Sequence, residues 1–231
     1  MSRPVALVLG AGPRVGASVA ATFATKGYQV AIASRSGTGN KTAEGYLSVK
    51  ADFASPSSIP GVFSAVKAAF QAAPSVVVYN AASLTPPPDA NSVLSVPVDS
   101  FTTDLNINTV TPYVAAQEAV KEWESLPADA KKSFIYTGNI LNVKIPPVPV
   151  FLNLGVGKSA SAYWIGSADT LYSERGYRFF FADERSEDGS SRGNAIDGPA
   201  HAEFFAQLAD HAGNVPWHAT FVKGKGYVKF E

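Results

Sequence analysis

The stretch Val5-Ala6-Leu7-Val8-Leu9-Gly10-Ala11-Gly12-Pro13-Arg14-Val15-Gly16 decides how the rest of the chain is read. Five consecutive apolar residues ending in glycine suit a strand buried on both faces, as in a parallel sheet. Residues 14–26 then place Val15, Val19 and Phe23 at helical spacing, and Gly27 ends the pattern. Between the two, glycines let the backbone turn sharply and approach an anion. The helix start adds free N–H groups and the positive end of its dipole. In this strand–turn–helix setting, Gly10, Gly12, Pro13, Arg14, Val15 and Gly16 are expected to hold the pyrophosphate of a dinucleotide.

Working outward, apolar runs predict further strands at residues 28–33, 46–50, 75–79, 133–137, 177–182 and 220–222. Helical patterns fill 57–72, 101–126 (broken near Pro112), 153–174 and 200–211, with Pro199 in the first turn of the last. This alternation predicts an α/β chain over 1–231: a single-domain, doubly wound Rossmann-type fold. Its mainly parallel seven-stranded sheet carries helices on both faces. Ligands in such sheets bind beyond the carboxyl ends of the strands. That edge collects the glycine loop, Ser34 to Ser36, Asp52, Asn80 to Ala82, Thr137 to Asn139 and Ala182 to Arg185. Loops at about 83–99, 138–152 and 183–198 are the expected substrate-specific segments.

Composition narrows the partners. The 231 residues carry 19 Lys+Arg and 19 Asp+Glu, so formal net charge is zero, with no basic run for nucleic acid or an anionic membrane. There is no cysteine, hence no disulfide framework and no thiolate. His201, His211 and His218 have no metal-ligand spacing, so no metal is expected. The start lacks the apolar segment of a signal peptide, and no apolar run reaches membrane-span length. A soluble, cytoplasmic protein is the expectation, with His201 and His211 in a lid or surface role.

The tip of the second strand specifies the cofactor. Folds that bind NAD usually carry an acid there for the ribose 2′-hydroxyl. Here it reads Ser34-Arg35-Ser36. A guanidinium between two hydroxyls suits a 2′-phosphate, because Arg makes charge-assisted and often bidentate bonds to phosphate oxygens. Arg14 can approach the same group, and NADP(H) is favoured over NAD(H). Asp52, Phe53, Asn80, Ala81 and Ala82, at the tips of the third and fourth strands, complete the expected contacts.

These motifs, in this order, resemble the short-chain dehydrogenase/reductase family over most of the chain. Gly10 and Gly16 match the first and last glycines of its cofactor loop, and Arg14 replaces the middle one. Asp52 matches the position that contacts the adenine amino group. Asn80-Ala81-Ala82 is similar to the Asn-Ala-Gly motif. Asn108 matches the structural and catalytic asparagine, and Lys158 the lysine that holds the nicotinamide ribose. The resemblance implies a homodimer or homotetramer joined through the 101–126 and 153–174 helices, where Trp123, Tyr163 and Trp164 are candidates.

The departures fall on the chemistry. Leu154 stands four residues before Lys158, where the family has its catalytic tyrosine. The serine position falls near Thr137 or Gly138, and Ala182-Asp183-Glu184-Arg185 replaces the usual Pro-Gly after the sixth strand. Losing a positioned general acid costs about 10²- to 10⁴-fold. Three readings follow. One is an NADP(H)-dependent oxidoreductase acting on a small apolar or heterocyclic substrate. Reduction of an iminium ion, which forms no oxyanion, would suit it, with Leu154 facing the substrate. Another is a non-redox cyclase or isomerase, and the last a non-catalytic NADP(H)- or ligand-binding regulator. Asn108 and Lys158 are the catalytic candidates; Thr137, Asp183 and Glu184 are weaker ones, the two carboxylates being possible substitute acids.

Overall fold

Val5–Leu9 (β1) is buried along its whole length, as an apolar run at the centre of a parallel sheet must be. The structure, a computed structural model, describes residues 3–230. β1 pairs in parallel with Gln29–Ser34 (β2) and with Val76–Tyr79 (β4). Leu47–Lys50 (β3) lies outside β2. Lys132–Thr137 (β5), Tyr177–Arg185 (β6) and His218–Val222 (β7) follow outside β4, all parallel. Gly226–Tyr227 (β8) closes the order β3-β2-β1-β4-β5-β6-β7-β8. The sheet has eight strands where seven were expected. The additional one is an antiparallel two-residue partner of β7, too short to leave a periodic pattern in sequence.

Side-chain alternation divides the core. Leu7, Leu9, Val77, Tyr79, Tyr136 and Phe181 face one side of the sheet; Ala6, Val8, Val78, Ile135, Phe180 and Ala182 face the other. Val15–Thr25 (α1) and Gly198–Ala209 (α6) cover the second side. Ile59–Phe70 (α2), Thr111–Trp123 (α4) and Leu152–Tyr172 (α5) cover the first. Trp123 is fully buried there and its indole N–H donates to Pro74 O at 2.9 Å, so it belongs to the core and not to a subunit interface. Tyr163, by contrast, is exposed.

Two elements depart from the sequence reading in ways that shape the site. Val98–Leu105 (α3) continues into α4 through a π-helical turn, Asn106–Val110, so the break precedes Pro112. Pro112 lacks the N–H that would bond Asn108 O in an α-helix. Thr111 N–H instead reaches back to Asn106 O, and the freed Asn108 carbonyl accepts from Tyr136 Oη at 2.8 Å and Ser161 Oγ at 2.7 Å. The second departure is β6. It runs through Arg185 rather than stopping at Ala182, because β7 pairs with it residue for residue from Phe181 to Arg185. Asp183, Glu184 and Arg185 are therefore buried strand residues and not part of a loop.

Candidate active site

The order of strands reverses between β1 and β4, and Gly10 and Asn80 meet at that crevice. Gly10 has φ +96°, and a Cβ there would lie 2.4 Å from Ala81 N; only glycine lets the two loops touch. Gly16 is equally close-packed, its Cβ position 2.7 Å from Gly10 O. Gly12 differs: a Cβ would meet nothing within 4 Å, so its surface is open to a ligand. No side chain caps the start of α1. An open glycine before an uncapped helix start is an anion cradle of the kind a pyrophosphate needs. Pro13 and Arg14 are exposed; Arg14 Nη1 donates to Asn194 O at 3.2 Å, which ties the loop after β6 to the cradle. Val15 packs into the core.

The remaining cofactor candidates divide by exposure. Arg35 is exposed at the tip of β2, without an ion pair or side-chain hydrogen bond among the described residues, and Ser34 Oγ lies 3.2 Å from Ser36 Oγ beside it. Asp52 is exposed and accepts from Ala54 N–H at 3.0 Å, an Asx turn that leaves the rest of its carboxylate free. The ring of Phe53 is buried edge-on against Tyr79 at 5.8 Å, so its side chain supports the core instead of a ligand. Ala81 and Ala82 line the crevice beside Asn80 with only partial burial of Ala81.

A chain of hydrogen bonds joins the cradle to Lys158. Asn80 Nδ2 donates to Gly10 O at 2.9 Å, Thr137 Oγ1 to Asn80 Oδ1 at 3.0 Å, and Lys158 Nζ to Thr137 O at 2.7 Å. Lys158 is 4% exposed and its ammonium lies 4.3 Å from the centre of the Tyr136 ring. Burial pulls its pKa down to about 7, against the opposing pull of Asp183. Tyr136 is no substitute acid: its hydroxyl turns inward to Asn108 O, and burial drives its pKa strongly upward. Asn108 is fully buried, and its amide clasps the backbone of Ser83 with bonds of 3.0 and 2.8 Å. Gly157 makes room for it, since a Cβ there would fall 2.5 Å from Asn108 Cβ. Asn108 thus positions a loop and, through its carbonyl, the helix of Lys158.

Leu154 is half-buried and lines a cavity of about 520 Å³, a size suited to a small-molecule site. Asp183, Glu184, Asn139, Arg192 and His201 share its wall. The two carboxylates, adjacent in sequence, point to opposite faces of the sheet. Asp183 lies on the Lys158 side, where Arg185 Nε donates to its Oδ2. Burial pushes its pKa up to about 6, opposed by Arg185 and Lys158 and helped by Glu184. Glu184 Oε2 accepts from Asp197 N–H at 2.8 Å and lies 3.4 Å from His201 Nδ1, while Oε1 is 3.3 Å from Arg192 Nε. Glu184 therefore anchors the loop that follows β6. His201, expected at a surface or lid, is buried between the Phe205 and Phe221 rings. His211 also leaves the role expected of it: it follows α6 and contacts Ser133 Oγ at 3.0 Å.

Several site residues escaped the sequence reading. Asp104, 1% exposed, accepts from Ser83 Oγ, Thr85 N–H and Asn153 Nδ2, and so pins the loop after β4 to α5. Ser161 and Arg192 are the others. Only Ser161 left a trace, three residues beyond Lys158 on the same helix face.

No family model matches the chain. A protein named short chain dehydrogenase/reductase dmxR12, from Cryptosporiopsis sp. (strain 8999), is 39% identical over 243 residues, covering 100% of this chain and 96% of that protein. The chain belongs to the short-chain dehydrogenase/reductase family, whose members are oxidoreductases on a nucleotide-binding fold. Solved structures share the fold at lower identity. A double mutant of a Serratia marcescens short-chain dehydrogenase/reductase superposes with TM-score 0.78 at 21% identity, covering 96% of this chain and 97% of that one. A metagenomic short-chain oxidoreductase solved in complex with NADP gives 0.75 at 18%, covering 96% and 98%. A Brucella ovis oxidoreductase with a partially ordered NAD gives 0.70 at 18%, covering 96% and 99%. Among the described residues, no helix is long and apolar enough to cross a membrane, and no cluster of His, Asp and Glu is arranged to hold a metal ion.

Proposed function

We propose that this protein is a cytoplasmic, NADP(H)-dependent oxidoreductase that reduces or oxidises a small apolar or heterocyclic molecule at a polarised double bond. The observation that carries the reading is the cavity at the carboxyl edge of the sheet, where apolar Leu154 shares a wall with Asp183 one helical turn before buried Lys158, in a chain that also has an open glycine cradle after β1. A second cavity of about 370 Å³ abuts the first through Leu141, Pro146 and Phe151, and its further wall includes Val93, Ile145, Val148 and Val156. This lining favours an apolar substrate.

Gly10, Gly12, Pro13, Arg14, Val15 and Gly16 would hold the pyrophosphate, and Ser34, Arg35 and Ser36 the 2′-phosphate. Asp52 with the Phe53 backbone would face the adenine, Asn80, Ala81 and Ala82 the adjoining ribose, and Lys158, braced by Asn108, the nicotinamide ribose. The reduced nicotinamide supplies hydride when bound. With no tyrosine at position 154, a C=N bond already carrying its proton is the substrate type least affected. Copies joined along α4 and α5 as a homodimer or homotetramer form the working assembly, with the whole chain as one folding unit.

The test is a binding and turnover screen. NADPH is expected to bind more tightly than NADH, and Arg35→Ala to weaken NADPH about tenfold, a loss of ~1.4 kcal/mol, while barely altering NADH. Equal losses would remove the 2′-phosphate assignment. NADPH oxidation should then appear with imines or ketones of apolar character. Tight binding without turnover of either class would favour the binding-protein reading, and product formed without NADPH consumption the non-redox one.

A further inference from the structure

Sequence left the missing proton donor without a replacement, and Asp183 and Glu184 as equal alternatives. The sheet separates them. Glu184 lies on the α6 side, away from Lys158: its Oε2 accepts from Asp197 N–H beside His201, and its Oε1 is ion-paired with Arg192 at 3.3 Å without a hydrogen bond. Asp183 lies on the α5 side with Lys158. Its Oδ2 is fixed by Arg185, whereas its Oδ1 accepts from no protein group among the described residues, and the side chain lines the same cavity as Leu154. The guanidinium that fixes it is itself held by Gly189 O at 3.0 Å, so the carboxyl is pre-oriented and not free to swing into solvent. A 2%-exposed carboxylate is an expensive strand residue unless it is paired and used.

We propose that Asp183 transfers the proton at this site, performing from the end of β6 the task that a hydroxyl at position 154 would perform from α5. The inference rests on the oxidoreductase reading above and names the group that completes it. In the reducing direction the substrate carbon gains hydride, with both its electrons, from a reduced nicotinamide dinucleotide, which leaves oxidised. The double-bond pair moves onto the substrate oxygen or nitrogen. That atom takes the Asp183 proton as the carboxyl O–H breaks. The aspartate that remains is held by Arg185 and Lys158 and is reprotonated from solvent in the cavity.

The charged groups around it set its titration. Arg185 and Lys158 favour the anion, from β6 and α5. Burial and Glu184, across the strand, favour the acid. Thr220 is its neutral neighbour on β7, where His218 lies close enough to Arg185 to feel its charge. Lys144, Arg192 and His201 face the cavity from the other walls. The balance leaves a carboxyl that titrates at about 6, near enough to neutrality to give up and regain a proton.

Two measurements test the proposal. The first reads Asp183 without turnover: side-chain carboxyl 13C NMR of the cofactor-free protein from pH 4 to 9, assigned with Asp183→Asn or, should that variant fold poorly, Asp183→Glu. A resonance with its midpoint near pH 6 supports the proposal. A midpoint in the ordinary carboxylate range or below it overturns the proposal, because no proton would then be held at neutral pH. The second compares NADPH-dependent reduction of an aryl ketone, which needs a proton, with that of N-methyl-3,4-dihydroisoquinolinium, which is permanently cationic and needs none. In Asp183→Asn the ketone-to-iminium ratio of kcat/KM should fall about 10²- to 10⁴-fold, and Asp183→Glu should restore part of it. For the wild type, kcat/KM on the ketone should decline as pH rises through 6 while that on the iminium does not. An unchanged ratio overturns the proposal. Failure of the wild type to turn over either probe counts against the oxidoreductase reading instead, and the carboxyl titration still decides whether Asp183 holds a transferable proton.

Discussion

Gly10 and Gly12 sit two residues apart and carry different duties. Gly10 holds a positive φ against the backbone of Ala81, so Gly10→Ala incurs conformational strain of about 1–3 kcal/mol and a steric overlap in addition. Urea unfolding is expected to report that loss with or without cofactor. Gly12 has open space where a Cβ would go. Gly12→Ala should keep its unfolding free energy within about 0.5 kcal/mol of wild type. Its NADPH affinity should nonetheless fall about tenfold, since the added methyl occupies the approach of the pyrophosphate. Calorimetric titration and denaturation of both variants check the contrast; a stable Gly10→Ala or a tightly binding Gly12→Ala would break it. Both glycines were legible in sequence, but identical letters could not reveal which one faces protein and which faces open space.

Among the elements, α3 with its π-turn does the most to organise the site. Asp104 gathers donors from Ser83, Thr85 and Asn153, and Asn108, one turn later, clasps Ser83. Burial alone would raise the Asp104 pKa; the hydrogen bonds from Ser83, Asn153 and Thr85 outweigh it and hold the carboxyl below its ordinary value of 3.8. A carboxyl lowered in the folded state stabilises fully above that ordinary value, and the contribution is lost as pH falls through the folded one. Asp104→Ala should therefore cost about 3 kcal/mol at pH 7, with several buried donors left unpaired. The gap to wild type should narrow when both are measured at pH 3. A gap that is constant with pH would show that packing and not charge holds the loop. Sequence placed the helix break only near Pro112. It could not foretell a π-turn, because the alternative donors to the Asn108 carbonyl, Tyr136 and Ser161, come from β5 and α5.

On the scale of the whole molecule, α4 and α5 carry exposed large apolar side chains: Tyr163 is 80% exposed, Leu171 74% and Tyr113 47%. Sedimentation velocity should find a dimer or tetramer, and the pair Tyr163→Glu with Leu171→Glu should dissociate it to monomers. Wild-type protein sedimenting only as a monomer would exclude the proposed assembly. The strand–glycine–helix opening, the alternation of apolar strands and helices, and the order of Asn108, Leu154 and Lys158 were settled by the sequence itself. Local periodicity and turn chemistry act over a few residues and are written in adjacent letters. The eighth strand, the burial of Asp183-Glu184-Arg185 and their division between two faces were decided only by tertiary structure. Three consecutive charged residues read as loop until a neighbouring strand pairs with them. Arg185 neutralises Asp183 on one side of the sheet, while Arg192 and His201 meet Glu184 on the other. Burial of charge depends on partners distant in sequence, and only the folded chain brings those partners together.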